Sequence, residues 1–201
     1  MTRRQDKRND ILTAACSLFR SQGFAKTSIS DITARVGSSK ATIYNHFRSK
    51  EELFVECMTA AVEDYITSTV ELLNVPGTDP LITLRVFGAS FLSFASSPHT
   101  LAMKRLLIAE AGRSGIGKLY CAKIAALRER VALLLSQFMA SGGLRSEDAG
   151  IAADHLRALL EAEVVEPLLL RAHGAVVGER AVASAAHRAV AAFLQAYAPD
   201  D

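Results

Sequence analysis

Ser28-Ile-Ser-Asp-Ile-Thr-Ala-Arg-Val-Gly-Ser-Ser-Lys-Ala-Thr-Ile-Tyr-Asn-His-Phe47 contains two short helical stretches separated by a glycine, and its reading decides the fold. Ser28 and Asp31 have capping-box spacing, with Asp in place of the usual Glu or Gln, and open a helix that turns Ile32 and Val36 inward. Gly37 turns the chain. Ser38 or Ser39 then accepts from the first free amides of a third short helix, about Lys40 to His46. Upstream, Ile11, Leu12, Ala15, Leu18 and Phe19 form one stripe of a helix running from about Gln5 to Gln22 and stopped by Gly23. Downstream, Ser49-Lys-Glu-Glu52 is a second capping box, opening a long helix with Leu53, Phe54, Cys57, Met58 and Ala61 that Pro76-Gly77 ends.

The rest of the chain follows the same pattern. Asp79-Pro80 and Ser97-Pro98 each put a polar cap before a proline at the first helical position, predicting helices at about 80–96 and 98–111. After glycines 112, 115 and 117, a helix of about 118–141 ends at Gly142-Gly143. Ser146-Glu147-Asp148 caps a helix reaching His173 with a kink at Pro167, and a last helix spans about Glu179 to Tyr197. No segment shows period-2 alternation, so the 201 residues read as an all-α protein with enough chain to bury a core.

Charge divides the chain. Residues 1–50 carry ten Lys/Arg and three Asp/Glu, a balance of +7, while residues 51–201 carry thirteen and eighteen, a balance of −5. On charge alone two readings stay open, a basic N-terminal module facing a polyanion and a basic solvated face with no partner. A short second helix placed after a glycine turn can lie in the major groove of DNA, the preceding helix bracing it across the backbone. The groove-facing turn is Ser39-Lys40-Ala41-Thr42: Lys40 suits guanine O6 and N7, Thr42 can hydrogen-bond or offer its methyl to thymine, and Ala41 permits close approach. Tyr44, Asn45 and His46 follow one turn on as phosphate donors, with Lys50 at the head of the long helix, where free amides favour an anion.

Thr27-Ser-Ile-Ser-Asp-Ile32, Val36 to Phe47 with its Ile-Tyr-x-His-Phe, and Ser49-Lys-Glu-Glu-Leu53 together resemble the DNA-binding domain of the TetR family of bacterial transcriptional regulators, of the AcrR-like kind. The resemblance covers about 50 residues. It implies a three-helix helix-turn-helix domain over 1–50 and a larger helical domain for effector binding and dimerisation over 51–201. It also implies phosphate contacts from Thr27, Tyr44, His46 and Lys50, a palindromic double-stranded operator, and repression relieved by a small, largely apolar effector; Ser28, next to Thr27, is a further phosphate candidate. Ser38 stands where Val is common and Ala41 where Gly or Pro is common, so no relative supplies the base preference. Phe87, Phe91, Phe94, Met103, Tyr120 and Phe138 are the expected pocket residues, and small residues along the last two helices fit a four-helix bundle with a second copy. The segment Lys104–Tyr120 is more weakly similar to the C-terminal domain of one branch of the family.

Other signals point nowhere. Gly112-Arg-Ser-Gly-Ile-Gly117-Lys118 has P-loop spacing, but Leu119 follows where Ser or Thr must hold magnesium, and a helical segment precedes it. Glu161, Glu163 and Glu166 lack a Glu-x-x-His partner. Cys16, Cys57 and Cys121 lie far apart and read as buried, reduced thiols. No catalytic residue, metal or cofactor is expected, and a cytoplasmic protein without a membrane span is. The competing class is an interaction protein whose basic end binds lipid or an acidic partner, indifferent to DNA sequence.

Overall fold

The computed structural model describes residues 3–73, 79–170 and 177–199. It contains α1 (Arg3–Gln22), α2 (Ile29–Val36), α3 (Lys40–Tyr44), α4 (Lys50–Leu73), α5 (Pro80–Ala95), α6 (Pro98–Glu110), α7 (Ile116–Ala140), α8 (Ala149–Ala162), α9 (Val165–Leu169) and α10 (Glu179–Ala196), with no strand among the described residues. The all-α expectation holds. The chain divides into two compact units, residues 1–62 with 103–124 and residues 63–102 with 125–201. Helices α4, α6 and α7 contribute residues to both.

In the first unit, Ile11, Phe19, Ile32, Ile43, Phe47, Leu53 and Phe54 are sealed from solvent and draw α1 to α4 around one core. Phe54 meets Phe19 edge-on at 5.2 Å and Phe24 at 5.0 Å. Leu107 of α6 and Ile116 of α7 complete the cluster. The turn joining these two helices passes through Ser114 and Gly115, both at positive φ, and follows a helix, so the P-loop spacing lacks the strand it needs.

The thiol expectation is corrected here. Cys16 and Cys57 are joined by a disulfide, with Cα atoms 5.2 Å apart across 41 residues of sequence. Helix packing, which spacing along the chain cannot reveal, brings them together. Cys121 is the free cysteine, and it is exposed.

In the second unit α5 packs against α8 and α10. Gly88 allows the close approach: a Cβ there would stand 2.6 Å from Val190 Cγ2 and 3.1 Å from Leu160 Cδ2. Leu84, Leu92, Leu135, Leu156, Val190 and Phe193 fill this core. The helix expected to run from Ala149 to His173 with a kink is instead broken at Glu163-Val164, giving α8 and α9. Pro167 has no N–H to give the Glu163 carbonyl, and its ring crowds that oxygen, so the interruption falls four residues before the proline. The expected ends at Pro76-Gly77 and His173 lie outside the described residues. No single described helix is long and apolar enough to cross a membrane.

Candidate nucleic-acid interface

The reading head is fixed by its caps. Ser28 Oγ accepts from the Asp31 amide at 3.1 Å, while Asp31 Oδ2 accepts from the Ser28 amide at 2.8 Å and from its hydroxyl at 2.7 Å. These bonds, the hydroxyl's first, hold the Asp31 carboxyl below the usual carboxylate range. Gly37 ends α2 at φ 62°, a left-handed conformation open to glycine at little cost. Ser39 is the N-cap of α3: its Oγ accepts from the Thr42 amide at 3.1 Å and lies 2.9 Å from Thr42 Oγ1. Ser38 takes no capping role, and its Oγ is buried without a partner.

Ile43 faces inward at 0% exposure, leaving the rest of this turn outside. Ser39, Lys40, Ala41 and Asn45 are exposed, Thr42 and His46 are half-buried, and Tyr44 is 51% exposed. The four candidate base readers therefore form one contiguous turn, with Tyr44 and Asn45 beside it.

Two expected phosphate contacts are placed differently. Thr27 is 1% exposed and its hydroxyl donates to the Gly23 carbonyl at 2.8 Å, so its side chain serves the fold rather than the surface. Lys50 Nζ donates to the carbonyls of Phe24 and Thr27, both at 2.9 Å, and sits 4.1 Å from the Phe24 ring centroid. It ties the α1–α2 connection to the head of α4 and has one N–H beyond those two bonds. The second capping box is shifted: Ser49 Oγ accepts from the Glu52 amide, but the Glu52 carboxylate reaches past Ser49 to the amide of Arg48. Glu56 accepts from Arg8 of α1 at 2.9 Å and Lys123 of α7 at 3.2 Å, in a network that sequence spacing did not expose.

The expected pocket residues fall into different units. Met103 and Tyr120 pack against the core of the first unit. Phe87, Phe91, Phe94 and Phe138 lie in the second. There Phe87 stacks on Phe91 at 5.8 Å, and Phe94 lies nearly parallel to Tyr65 at 4.7 Å. Tyr65 was not foreseen. It extends the α4 stripe Phe54, Met58, Ala61 at helical spacing, which is the signal that marks it. Burial raises the pKa of its hydroxyl against the smaller opposing pull of the nearby Thr69 and Ser90 side chains.

A capped two-helix reading head with an exposed polar turn, followed by a second helical unit, defines a helix-turn-helix DNA-binding regulator. The family model of bacterial regulatory proteins of the tetR family matches residues 11–57, and that of the AefR-like transcriptional repressor C-terminal domain matches residues 82–199. The chain belongs to the TetR family of transcriptional regulators, which are not enzymes. It is 30% identical over 91 residues to the transcriptional activator FasR of Mycolicibacterium smegmatis, a match spanning 45% of this chain and 41% of that protein. Over 163 residues it is 27% identical to the nucleoid occlusion factor SlmA of Edwardsiella ictaluri, covering 81% of this chain and 79% of that one. Among solved structures, a TetR-family regulator from Mesorhizobium loti superposes with a TM-score of 0.81 at 27% identity, covering 98% of this chain and all of that one. The flavonoid-responsive regulator FrrA superposes at 0.72 and 27%, with the same coverage.

Proposed function

We propose that the protein is a dimeric repressor that holds a palindromic operator through two copies of the Ser39–Thr42 turn and is released by a small aromatic effector. The single observation that carries the DNA reading is that this turn is exposed while its own caps and the buried Ile43 fix its conformation. Such a turn meets base edges with its own conformation already set, and what is left to order on binding is the frame that carries it. Tyr44, Asn45, His46 and the remaining donor of Lys50 supply the phosphate contacts, both donors of Ser28 being given to Asp31.

Surfaces that their own unit leaves uncovered support dimerisation through α8 and α10. Ile151 is 53% exposed, and Ala158, Ala162 and Ala183 are exposed small residues that admit a close helix neighbour. For the effector, the Tyr65, Phe87, Phe91 and Phe94 rings offer flat faces and one phenol able to donate, which suits a planar ligand bearing an acceptor. The flavonoid response named for FrrA supports that chemistry, and the repressor description of the matched C-terminal family supports repression. Helices α4, α6 and α7, continuous through both units, are the mechanical link, with a coupling of about 1–3 kcal/mol.

Selection of bound sites from a random duplex pool by the full chain tests this reading. An enriched inverted repeat with half-site centres about one helical turn apart, or a multiple of it, is the expected result. Binding of all duplexes alike, with equal retention on anionic vesicles, contradicts it and favours the lipid or acidic-partner class.

A further inference from the structure

We infer that Cys16 and Cys57 are a reversible, peroxide-sensitive thiol–disulfide pair that braces the reading head. The inference rests on the proposed DNA reading only for its effect on binding. Cys16 lies in α1 and Cys57 in α4, and the 41-residue separation between them encloses α2, α3 and the caps that set the base-reading turn. A bond at this place closes the frame on which the head is mounted. Residue 57 also follows Glu56, whose carboxylate ties α4 to α1 and α7.

Three observations argue for a switch rather than a staple. First, the bond sits beside a closed apolar core, in which Ile11, Phe19, Leu53 and Phe54 are each fully buried, so contacts other than the S–S link also hold α1 against α4. Second, the two sulfurs differ in access, Cys16 being half-buried and Cys57 only 7% exposed. Third, the reduced state has a place for a thiol proton, since Cys57 Sγ lies 3.6 Å from the Leu12 carbonyl oxygen.

This asymmetry sets the order of events. The Cys16 thiolate attacks one oxygen of a hydroperoxide, the O–O bond breaks, hydroxide or alkoxide leaves, and the sulfur becomes a sulfenic acid. The Cys57 thiol then attacks that sulfur, forming the S–S bond and expelling water. Both electrons lost by the thiols are taken by the peroxide, and a dithiol reductant reverses the reaction. The cross-linked frame has fewer conformations to lose on DNA, so the oxidised protein binds its site more tightly.

The test uses the full chain with hydrogen peroxide as probe. After reduction, unfolding and maleimide labelling, intact mass should show three labels, one for each cysteine. After peroxide it should show one, on Cys121, with Cys16 and Cys57 peptides linked, and dithiol treatment should restore three. Retention of three labels after peroxide, linkage through Cys121, or a bond that survives reductant under native conditions overturns the inference. On the duplex recovered by selection, oxidised protein should bind about threefold or more tightly than reduced, a difference absent in Cys16→Ser and in Cys57→Ser. Equal affinities of the two forms reduce the bond to a staple and overturn the switch. Failure of both forms to bind any duplex strikes the DNA reading instead, because thiol counting needs no DNA.

Discussion

The two units carry their candidate functions in opposite ways. In the first, the candidate residues Ser39, Lys40, Ala41 and Thr42 follow one another on one turn that is exposed or half-buried, held by caps three residues away. In the second, they are large rings on α4 and α5, mostly buried and brought together by packing between helices. An exposed capped turn is built locally and can be seen in a string of letters, whereas a cluster of rings from several helices requires the whole packing arrangement to be known.

The largest expected effect tests how strongly the head depends on its core. Phe54→Ala removes a ring in contact with Phe19 and Phe24 and should cost about 3–5 kcal/mol, read by denaturant unfolding, with operator binding lost in parallel. Next, Gly88→Ala overfills the approach of α5 to α10, where Val190 is fully buried. It should cost about 1–3 kcal/mol while leaving the isotherm for folded protein on DNA unchanged. Equal damage to DNA affinity would erase the division between the units. A smaller change of opposite sign is expected from Ser38→Ala, which deletes a buried hydroxyl without a partner and should stabilise the protein by about 1 kcal/mol in the same unfolding assay. The smallest concerns pH. Arg188 bonds hold the Glu163 carboxyl below its ordinary value, so this pair's contribution is present above the unfolded glutamate pKa and fades as pH falls through the lower folded one. Glu163→Gln should flatten the acid limb of a melting-temperature profile slightly, since both partners are solvent-exposed.

Much of the head was legible because capping and glycine signals act within four residues. Ser28 with Asp31, Gly37, and Ser39 before α3 all fall where spacing places them. Thr27 is ambiguous in the sequence because the same short polar side chain that suits a phosphate also suits the Gly23 carbonyl, to which it donates here. The Cys16–Cys57 bond and the Glu56 network involve residues more than 40 positions apart, beyond the reach of periodicity. In the second unit, aromatic content marked α5 correctly. It did not show that Met103 and Tyr120 face the other core, or that Tyr65, read as part of a long helix, joins the rings.

The central claim is that the Ser39–Thr42 turn reads bases while its neighbours hold phosphate. Affinities of wild type, Lys40→Ala and Tyr44→Ala for the selected site and its single-base variants test it most directly. Lys40→Ala should lose about 1–3 kcal/mol on the selected site and equalise the variants at one symmetric position, whereas Tyr44→Ala should weaken every duplex by a similar factor. If Lys40→Ala kept the full base preference, or Tyr44→Ala changed it, the assignment of the turn would be contradicted.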